Sequence, residues 1–293
     1  MKIAVTGATG FIGRHVVAEL EQRGVTPTVV CRTPPQRPPR MAKNSVVVFD
    51  LKSPPPDAFR LMDEPDALVH LAWGGLPHYQ SLYHFEDELP SQYRFLKSLV
   101  DQGLRNLVVT GTCFEYGMQS GPLHEELDER PTNPYGLAKH TLRLQLGYLQ
   151  RVKPFNLTWA RLFYVFGEGQ SPKSLLSQLR DAVERGERTF NMSGGEQLRD
   201  YLPVTQVAQH LVTLALNPRD YGVVNVCSGK PVSVRALVEG WIKERGWSIT
   251  PNLGCLPYAD YEPMAFWGDR RKLDRCLSVS LASLDEPVLP VDA

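Results

Sequence analysis

The opening stretch Met1-Lys2-Ile3-Ala4-Val5-Thr6-Gly7-Ala8-Thr9-Gly10-Phe11-Ile12-Gly13 constrains this chain more than any other. Ile3 to Val5 is a short apolar run halted by Thr6 and Gly7, the pattern of a buried strand entering a tight turn. From Phe11 the period changes: Phe11, Ile12, Val16, Val17 and Leu20 recur at helical spacing up to Arg23, and Gly24 ends the run. A strand, a glycine turn and a helix in that order offer free backbone N–H groups and a positive helix end to a pyrophosphate. Gly7 permits the turn, Gly10 lets the backbone approach phosphate oxygens, and Gly13 lets the helix pack close to the strand. Thr9, Phe11 and Ile12 complete the candidate cofactor loop. The spacing is Gly-x-x-Gly-x-x-Gly, not the general Gly-x-Gly-x-x-Gly, and a glycine turn without a ligand is the plain alternative.

Further strands are expected at 26–31, 45–49, 66–71, 106–110, 156–162 and 223–229, with helices at 83–102, 134–150, 174–186 and 234–245. This alternation predicts an α/β fold, a Rossmann-type doubly wound parallel sheet. A chain of 293 residues holds one such fold with a smaller lobe attached. The expected division is 1–165 for an NAD(P)-binding domain and 166–293 mainly for a C-terminal substrate-binding lobe, with about 200–230 returning to the Rossmann core.

Composition removes several classes of function. Lys plus Arg and Asp plus Glu both number 32, a balance that speaks against a nucleic-acid surface. The five cysteines, Cys31, Cys113, Cys227, Cys255 and Cys276, form no Cys-x-x-Cys pair and read as free thiols in a reducing compartment; no metal site is expected. No apolar run approaches a membrane span, and no signal sequence precedes the first strand, so a cytoplasmic protein with no membrane partner is expected.

The second strand ends at Cys31-Arg32, with Arg37 and Arg40 nearby and no carboxylate before Asp50. An acidic residue at this place favours NAD by binding a free 2′-hydroxyl, whereas a basic one pairs with the 2′-phosphate of NADP. NADP(H) is therefore favoured over NAD(H), with Arg32 the candidate contact; a solvated basic loop stiffened by Pro34, Pro35, Pro38 and Pro39 is the alternative. At the end of the fourth strand, Leu71, Ala72 and Trp73 are candidates to lie along the cofactor, and the following loop offers His78 and Tyr79 for substrate contact. Most such histidines are surface residues.

Thr110-Gly111-Thr112-Cys113-Phe114-Glu115-Tyr116-Gly117 closes the fifth strand, and Tyr135-Gly136-Leu137-Ala138-Lys139 opens a helix after Asn133-Pro134. Tyrosine and lysine four apart share one helix face, so the ammonium can sit beneath the phenol. A free phenol has a pKa of ~10, and a nearby cation moves its proton toward the physiological range. Hydride transfer at a carbonyl or carbinol carbon needs such an acid/base. Alone, Tyr-x-x-x-Lys arises by chance in many proteins.

With the glycine turn and the Ser/Thr strand end, it resembles the extended branch of the short-chain dehydrogenase/reductases, the NAD(P)-dependent nucleotide-sugar epimerase/dehydratase family, over nearly the whole chain. That resemblance implies Tyr135 as the acid/base, Lys139 holding the nicotinamide ribose as well, and Thr112 bonding the reacting oxygen. It also places Thr110 at the cofactor, Cys113 and Phe114 at the substrate, and Asp50-Leu51 along the adenine ring, although Asp50 reads equally as a strand-end cap. Tyr164 stands where related sugar-nucleotide epimerases often carry asparagine, Pro203 and Gln206 replace the usual histidine and aspartate, and Phe266-Trp267 replaces an arginine before Gly-Asp. Arg199-Asp200-Tyr201 resembles the family's segment, whose arginine pairs with the substrate diphosphate; an internal ion pair is the alternative.

Thr-Cys-Phe-Glu-Tyr-Gly and Phe-Tyr-Val-Phe-Gly-Glu-Gly-Gln are similar to reductases of nucleotide-linked 4-keto-6-deoxyhexoses. The resemblance implies NADPH-dependent reduction of the C4 ketone in deoxysugar biosynthesis, with a nucleotide-diphosphate sugar as partner. An NAD-dependent nucleotide-sugar 4-epimerase and a non-catalytic NADP-sensing regulator are the alternatives. A homodimer through the helices at 83–102 and 134–150 is implied too.

Overall fold

Ile3 to Thr6 form β1 (Ile3–Thr6), a strand buried at every position. The chain, a computed structural model that describes residues 1–34 and 45–282, continues through α1 (Phe11–Gln22), β2 (Thr28–Cys31), β3 (Val46–Val48), the single turn α2 (Ala58–Leu61) and β4 (Ala67–His70). Next come α3 (Leu89–Gln102), β5 (Asn106–Thr112), β6 (Gly121–Leu123), α4 (Pro134–Val152), β7 (Asn156–Leu162) and β8 (Tyr164–Phe166). The remainder holds α5 (Leu175–Glu184), β9 (Thr189–Asn191), β10 (Leu198–Pro203), α6 (Val204–Leu216), β11 (Gly222–Val226), β12 (Pro231–Ser233), α7 (Val234–Arg245), β13 (Thr250–Asn252), β14 (Phe266–Gly268) and α8 (Arg271–Ala282). Arg37 and Arg40 of the basic loop, with Pro35, Pro38 and Pro39, lie outside the described residues.

Seven strands pair in the order β11-β7-β5-β4-β1-β2-β3, every pair parallel. A parallel sheet is covered on both faces, so its strands carry continuous apolar runs. One face packs on α3 and α4 through Phe95, Leu96, Leu99, Leu142 and Leu146. The other packs on α1 and α6 through Val16, Val17, Leu20, Val207 and Leu211. Each such side chain contributes roughly 1.5–3 kcal/mol when fully buried. Strand order reverses between β1 and β4, and the crevice outside their carboxyl ends is where a doubly wound sheet binds ligands.

Gly7 adopts φ +68, and a Cβ there would stand 2.8 Å from Ala72 N; one on Gly13 would stand 2.1 Å from Gly7 O. The start of α1 therefore lies against the β1 turn at a distance that only glycine allows. Two boundaries differ from the sequence expectation in ways that shape the site. The helix expected over 83–102 begins as a π-turn, His84–Glu88, ahead of α3. Pro90 has no N–H to give Glu86, and one wide turn absorbs the missing bond. β5 runs on to Thr112, which pairs with Leu162 of β7.

After β7 the chain builds a smaller layer: the sheet β12-β10-β8 and the pair β13-β9, packed around Leu179, Phe190, Met192, Val238 and Trp241. α6 and β11 return to the large sheet. Among the described residues no helix is long and apolar enough to cross a membrane.

Candidate active site

Gly10 caps α1 with extended backbone and no side-chain bond, and the first turn holds no acidic residue. Helix N–H groups left in this state suit an anion, so the loop Gly7–Gly13 fits a pyrophosphate. Thr9 and Gly10 are exposed, while Phe11 and Ile12 are half-buried. Leu71, Ala72 and Trp73 are likewise half-buried beyond the end of β4. Arg32 is exposed beyond β2. Asp50, beyond β3, accepts from Lys52 N at 3.0 Å, the geometry of a strand-end cap, and Leu51 packs against the core.

α4 starts cleanly because Asn133 Oδ1 accepts from Gly136 N at 2.8 Å and proline occupies the first turn. Tyr135 and Lys139 then fall one turn apart on the buried face. Lys139 Nζ donates to Thr110 O at 2.8 Å and lies 4.0 Å from the centre of the Trp73 ring. Burial pulls this ammonium down to about 7, against the opposing pull of Glu115 and Glu88. Burial pushes the Tyr135 phenol up from its ordinary value, Tyr79, Glu115 and Cys113 add to the rise, and a hydrogen bond with the Thr112 hydroxyl opposes it. The expected lowering of the phenol by lysine is thus not what the structure shows. Trp73 and a carbonyl hold the ammonium, and burial is the largest influence on the phenol.

Rings enclose Tyr135: His84 at 5.2 Å between centroids, Tyr79 at 5.6 Å, Trp73 at 6.0 Å and Phe114 at 6.3 Å. Its backbone N–H donates to Tyr79 O at 3.2 Å, so the loop after β4 is tied to the start of α4. Tyr135 keeps 8% of its surface exposed.

Several supporting residues had escaped the sequence reading. Thr112 caps a 3₁₀ turn, Cys113–Tyr116, by accepting from Phe114 N at 3.3 Å while its own N–H donates to Glu115 Oε1 at 2.8 Å. Thr-x-x-Glu is a capping-box signature and was there to be found. Glu115, fully buried, also accepts from Trp159 Nε1 at 2.9 Å and Arg161 Nε at 2.8 Å. Glu88 gathers Gly74 N at 2.8 Å, Tyr83 Oη at 2.8 Å and Gln92 Nε2 at 2.7 Å. Trp73 Nε1 donates to His84 Nδ1 at 3.1 Å, which leaves the hydrogen on Nε2 to reach His78 O at 3.0 Å. No local pattern announces Glu88 or His84.

A cavity of about 1090 Å³ opens beside this cluster, with Phe11, His78, Tyr79, Tyr164, Tyr201 and Glu262 in its wall. A second, of about 310 Å³, is bordered by Arg199, Asn191, Gln197 and Tyr258. Tyr164, Lys173, Tyr201 and Glu262 line both. Arg199 Nη2 pairs with Glu262 Oε2 at 2.9 Å, so this arginine both closes an internal ion pair and borders the smaller cavity. Asp200 serves the backbone, accepting from Ser228 N at 2.7 Å and Gly229 N at 2.8 Å.

The candidate residues therefore fall into groups. Thr110, Thr112, Phe114, Trp73, Tyr135 and Lys139 form one cluster. Tyr164 and Arg199 meet around Glu262. His78 lines the larger cavity, and Cys113 is buried, its thiol raised by that burial.

A family model described as "NAD dependent epimerase/dehydratase family" matches residues 3–227. The dTDP-6-deoxy-L-talose 4-dehydrogenase (NAD(+)) of Aggregatibacter actinomycetemcomitans is 30% identical over 287 residues, 92% of this chain and 99% of that protein. The dTDP-6-deoxy-L-talose 4-dehydrogenase (NAD(P)(+)) of Kitasatospora kifunensis is 30% identical over 258 residues, 84% of this chain and 79% of that one. The solved structure of MoeE5 in complex with UDP-glucuronic acid and NAD is similar at a TM-score of 0.79 and 29% identity, covering 95% of this chain and 93% of that one. With its glycine turn at the strand-order reversal of a seven-stranded parallel sheet, the chain belongs to the NAD dependent epimerase/dehydratase family.

Proposed function

We propose that the protein reduces the C4 ketone of a nucleotide-linked 4-keto-6-deoxyhexose with NADPH. The observation that carries this is the cluster of Thr112, Tyr135 and Lys139, which Tyr79 joins to the larger of two adjoining cavities. Similarity to dTDP-6-deoxy-L-talose 4-dehydrogenases supports the choice of carbon, because oxidation of a C4 hydroxyl is the reverse of reducing that ketone. Residues 1–165 hold the cofactor in this reading, and residues 166–293 mainly shape the substrate site.

A bound dihydronicotinamide supplies the hydride. The N–H groups at the start of α1 would hold its pyrophosphate, Arg32 would meet the 2′-phosphate that distinguishes NADP(H), and Asp50-Leu51 would lie along the adenine. Leu71 to Trp73, with Thr110, would flank the nicotinamide half, and Lys139 would hold its ribose. Tyr135 gives its proton to the oxygen that becomes the new hydroxyl. Its raised pKa keeps it protonated until that oxygen turns basic. Thr112 donates to the same oxygen, and Lys139 stabilises the phenolate left behind. Rings around Tyr135 limit water at the proton.

The test incubates the protein with 4-keto-6-deoxyhexose nucleotides and follows NADPH and NADH. NADPH should fall in step with formation of one 6-deoxyhexose nucleotide, and faster than NADH. Interconversion of C4 epimers with no net loss of reduced cofactor would overturn the reductase in favour of an epimerase.

We also propose a homodimer. Leu137, Leu144, Tyr148 and Val152 project from α4 at spacings of seven and four, an apolar stripe away from the sheet, with Tyr148 65% and Val152 78% exposed. Light scattering should give twice the chain mass for the wild type and the chain mass for the double variant Tyr148→Glu/Val152→Glu. A wild-type monomer would refute the assembly.

A further inference from the structure

Glu262 stands where the two cavities meet and its partner Arg199 borders the smaller one, with side-chain exposures of 13% and 5%. The guanidinium is close to saturated. Nη1 donates to Leu198 O at 2.9 Å and Met264 O at 3.3 Å. The remaining edge, Nε and Nη2, is held by Glu262 Oε2 at 3.2 Å and 2.9 Å. That edge is the one that presents parallel donors to phosphate oxygens. Rings cover the guanidinium, Phe266 at 4.6 Å and Tyr164 at 5.9 Å from its carbon, so it has little room to turn another side outward. An anion that uses this arginine as a fork must take the place of Glu262. The carboxylate reaches into the larger cavity as well: after burial itself, Glu262 is the largest influence raising the Tyr164 and Tyr201 phenols.

We propose that Glu262 is a resident anion which the diphosphate of the substrate displaces from Arg199, so that this carboxylate sets which ligands the cleft admits. The proposal rests on the nucleotide-sugar reading above and assigns a specificity role to a residue outside the Thr112–Tyr135–Lys139 cluster. In the exchange phosphate oxygens take over the Nε and Nη2 donors, and the released carboxylate turns to the hexose side, where the buried Tyr164 hydroxyl is free to donate to it. A diphosphate has the charge and the paired oxygens to compete for the fork. A nucleoside has nothing to exchange, and a sugar carrying its own carboxylate meets a second negative charge in the larger lobe.

Calorimetric titration of the full chain with UDP, dTDP, GDP and CDP, and with the matching nucleosides, tests this on the wild type and Glu262→Gln. Glutamine still accepts from Nη2 but does not compete as an anion. The diphosphate that binds the wild type should bind Glu262→Gln about tenfold more tightly, with nucleoside affinity unchanged. Thermal melts establish that the variant is folded; should it not be, Glu262→Asp, which keeps the charge but draws it back from Arg199, should show a smaller gain of the same sign. Equal or weaker diphosphate binding by a folded variant overturns the exchange and leaves the substrate class standing. Failure of every nucleoside diphosphate to bind either protein overturns both.

Discussion

Tyr135→Phe is expected to lower kcat by about 10²–10⁴, the range that a positioned proton donor supplies, while leaving the fold and NADPH affinity in place. The substitution removes one oxygen. The ring keeps its contacts with Trp73, Tyr79, His84 and Phe114, which account for its packing. The phenol's polar contact with the Thr112 hydroxyl goes with that oxygen, and Thr112 Oγ1 still accepts from Phe114 N. Steady-state rates with the keto-sugar nucleotide, a thermal melt and NADPH titration check the three parts separately. A variant that keeps its rate would move the proton donor elsewhere. A variant that loses cofactor binding instead would make Tyr135 a cofactor contact first.

The residues in this prediction were legible in the sequence because they are local: a strand end, and the first turn of a helix with an Asn-Pro start. The element ends that were marked by chemistry were also readable. α7 spans Val234–Arg245 as expected, with Ser233 accepting from Ala236 N at 3.1 Å and Gly246 at φ 62 closing it. α6 escaped notice. Pro203 precedes it without a side-chain cap, and apolar residues occupy so much of its surface that no clear stripe stands out. The same limit hid the partners of the site. Glu262 meets Arg199 across 63 residues of chain, and sequence left that arginine with two open roles. Trp73 is a candidate cofactor neighbour by sequence, but its ring against the Lys139 ammonium comes from β4 pairing with β5, on which α4 packs, so that the chain beyond β4 meets α4. Spacing within a segment cannot reveal such a contact; strand order does.

Arg161→Met is expected to destabilise the protein by about 3–5 kcal/mol, the cost of leaving a buried charge without its partner. Arg161 and Glu115 are both fully buried and joined at 2.8 Å. Arg161 also donates through Nη2 to Glu129, and its guanidinium lies 4.5 Å from the centre of the Tyr116 ring. Methionine fills much of the volume but leaves Glu115 with only the neutral donors Trp159 Nε1 and Thr112 N. Glu115→Gln/Arg161→Met should recover most of the lost stability, because an amide oxygen still accepts from Thr112 and no net charge stays buried. Urea unfolding of the wild type, both single variants and the double variant gives the coupling free energy. Coupling near zero would mean that water reaches Glu115 and that the pair does not hold the 3₁₀ turn. If the double variant regains stability and kcat together, the network serves Thr112 through its hydrogen bond alone. If stability returns and kcat does not, the charge of the pair acts on the proton held by Tyr135, whose phenol already feels Glu115.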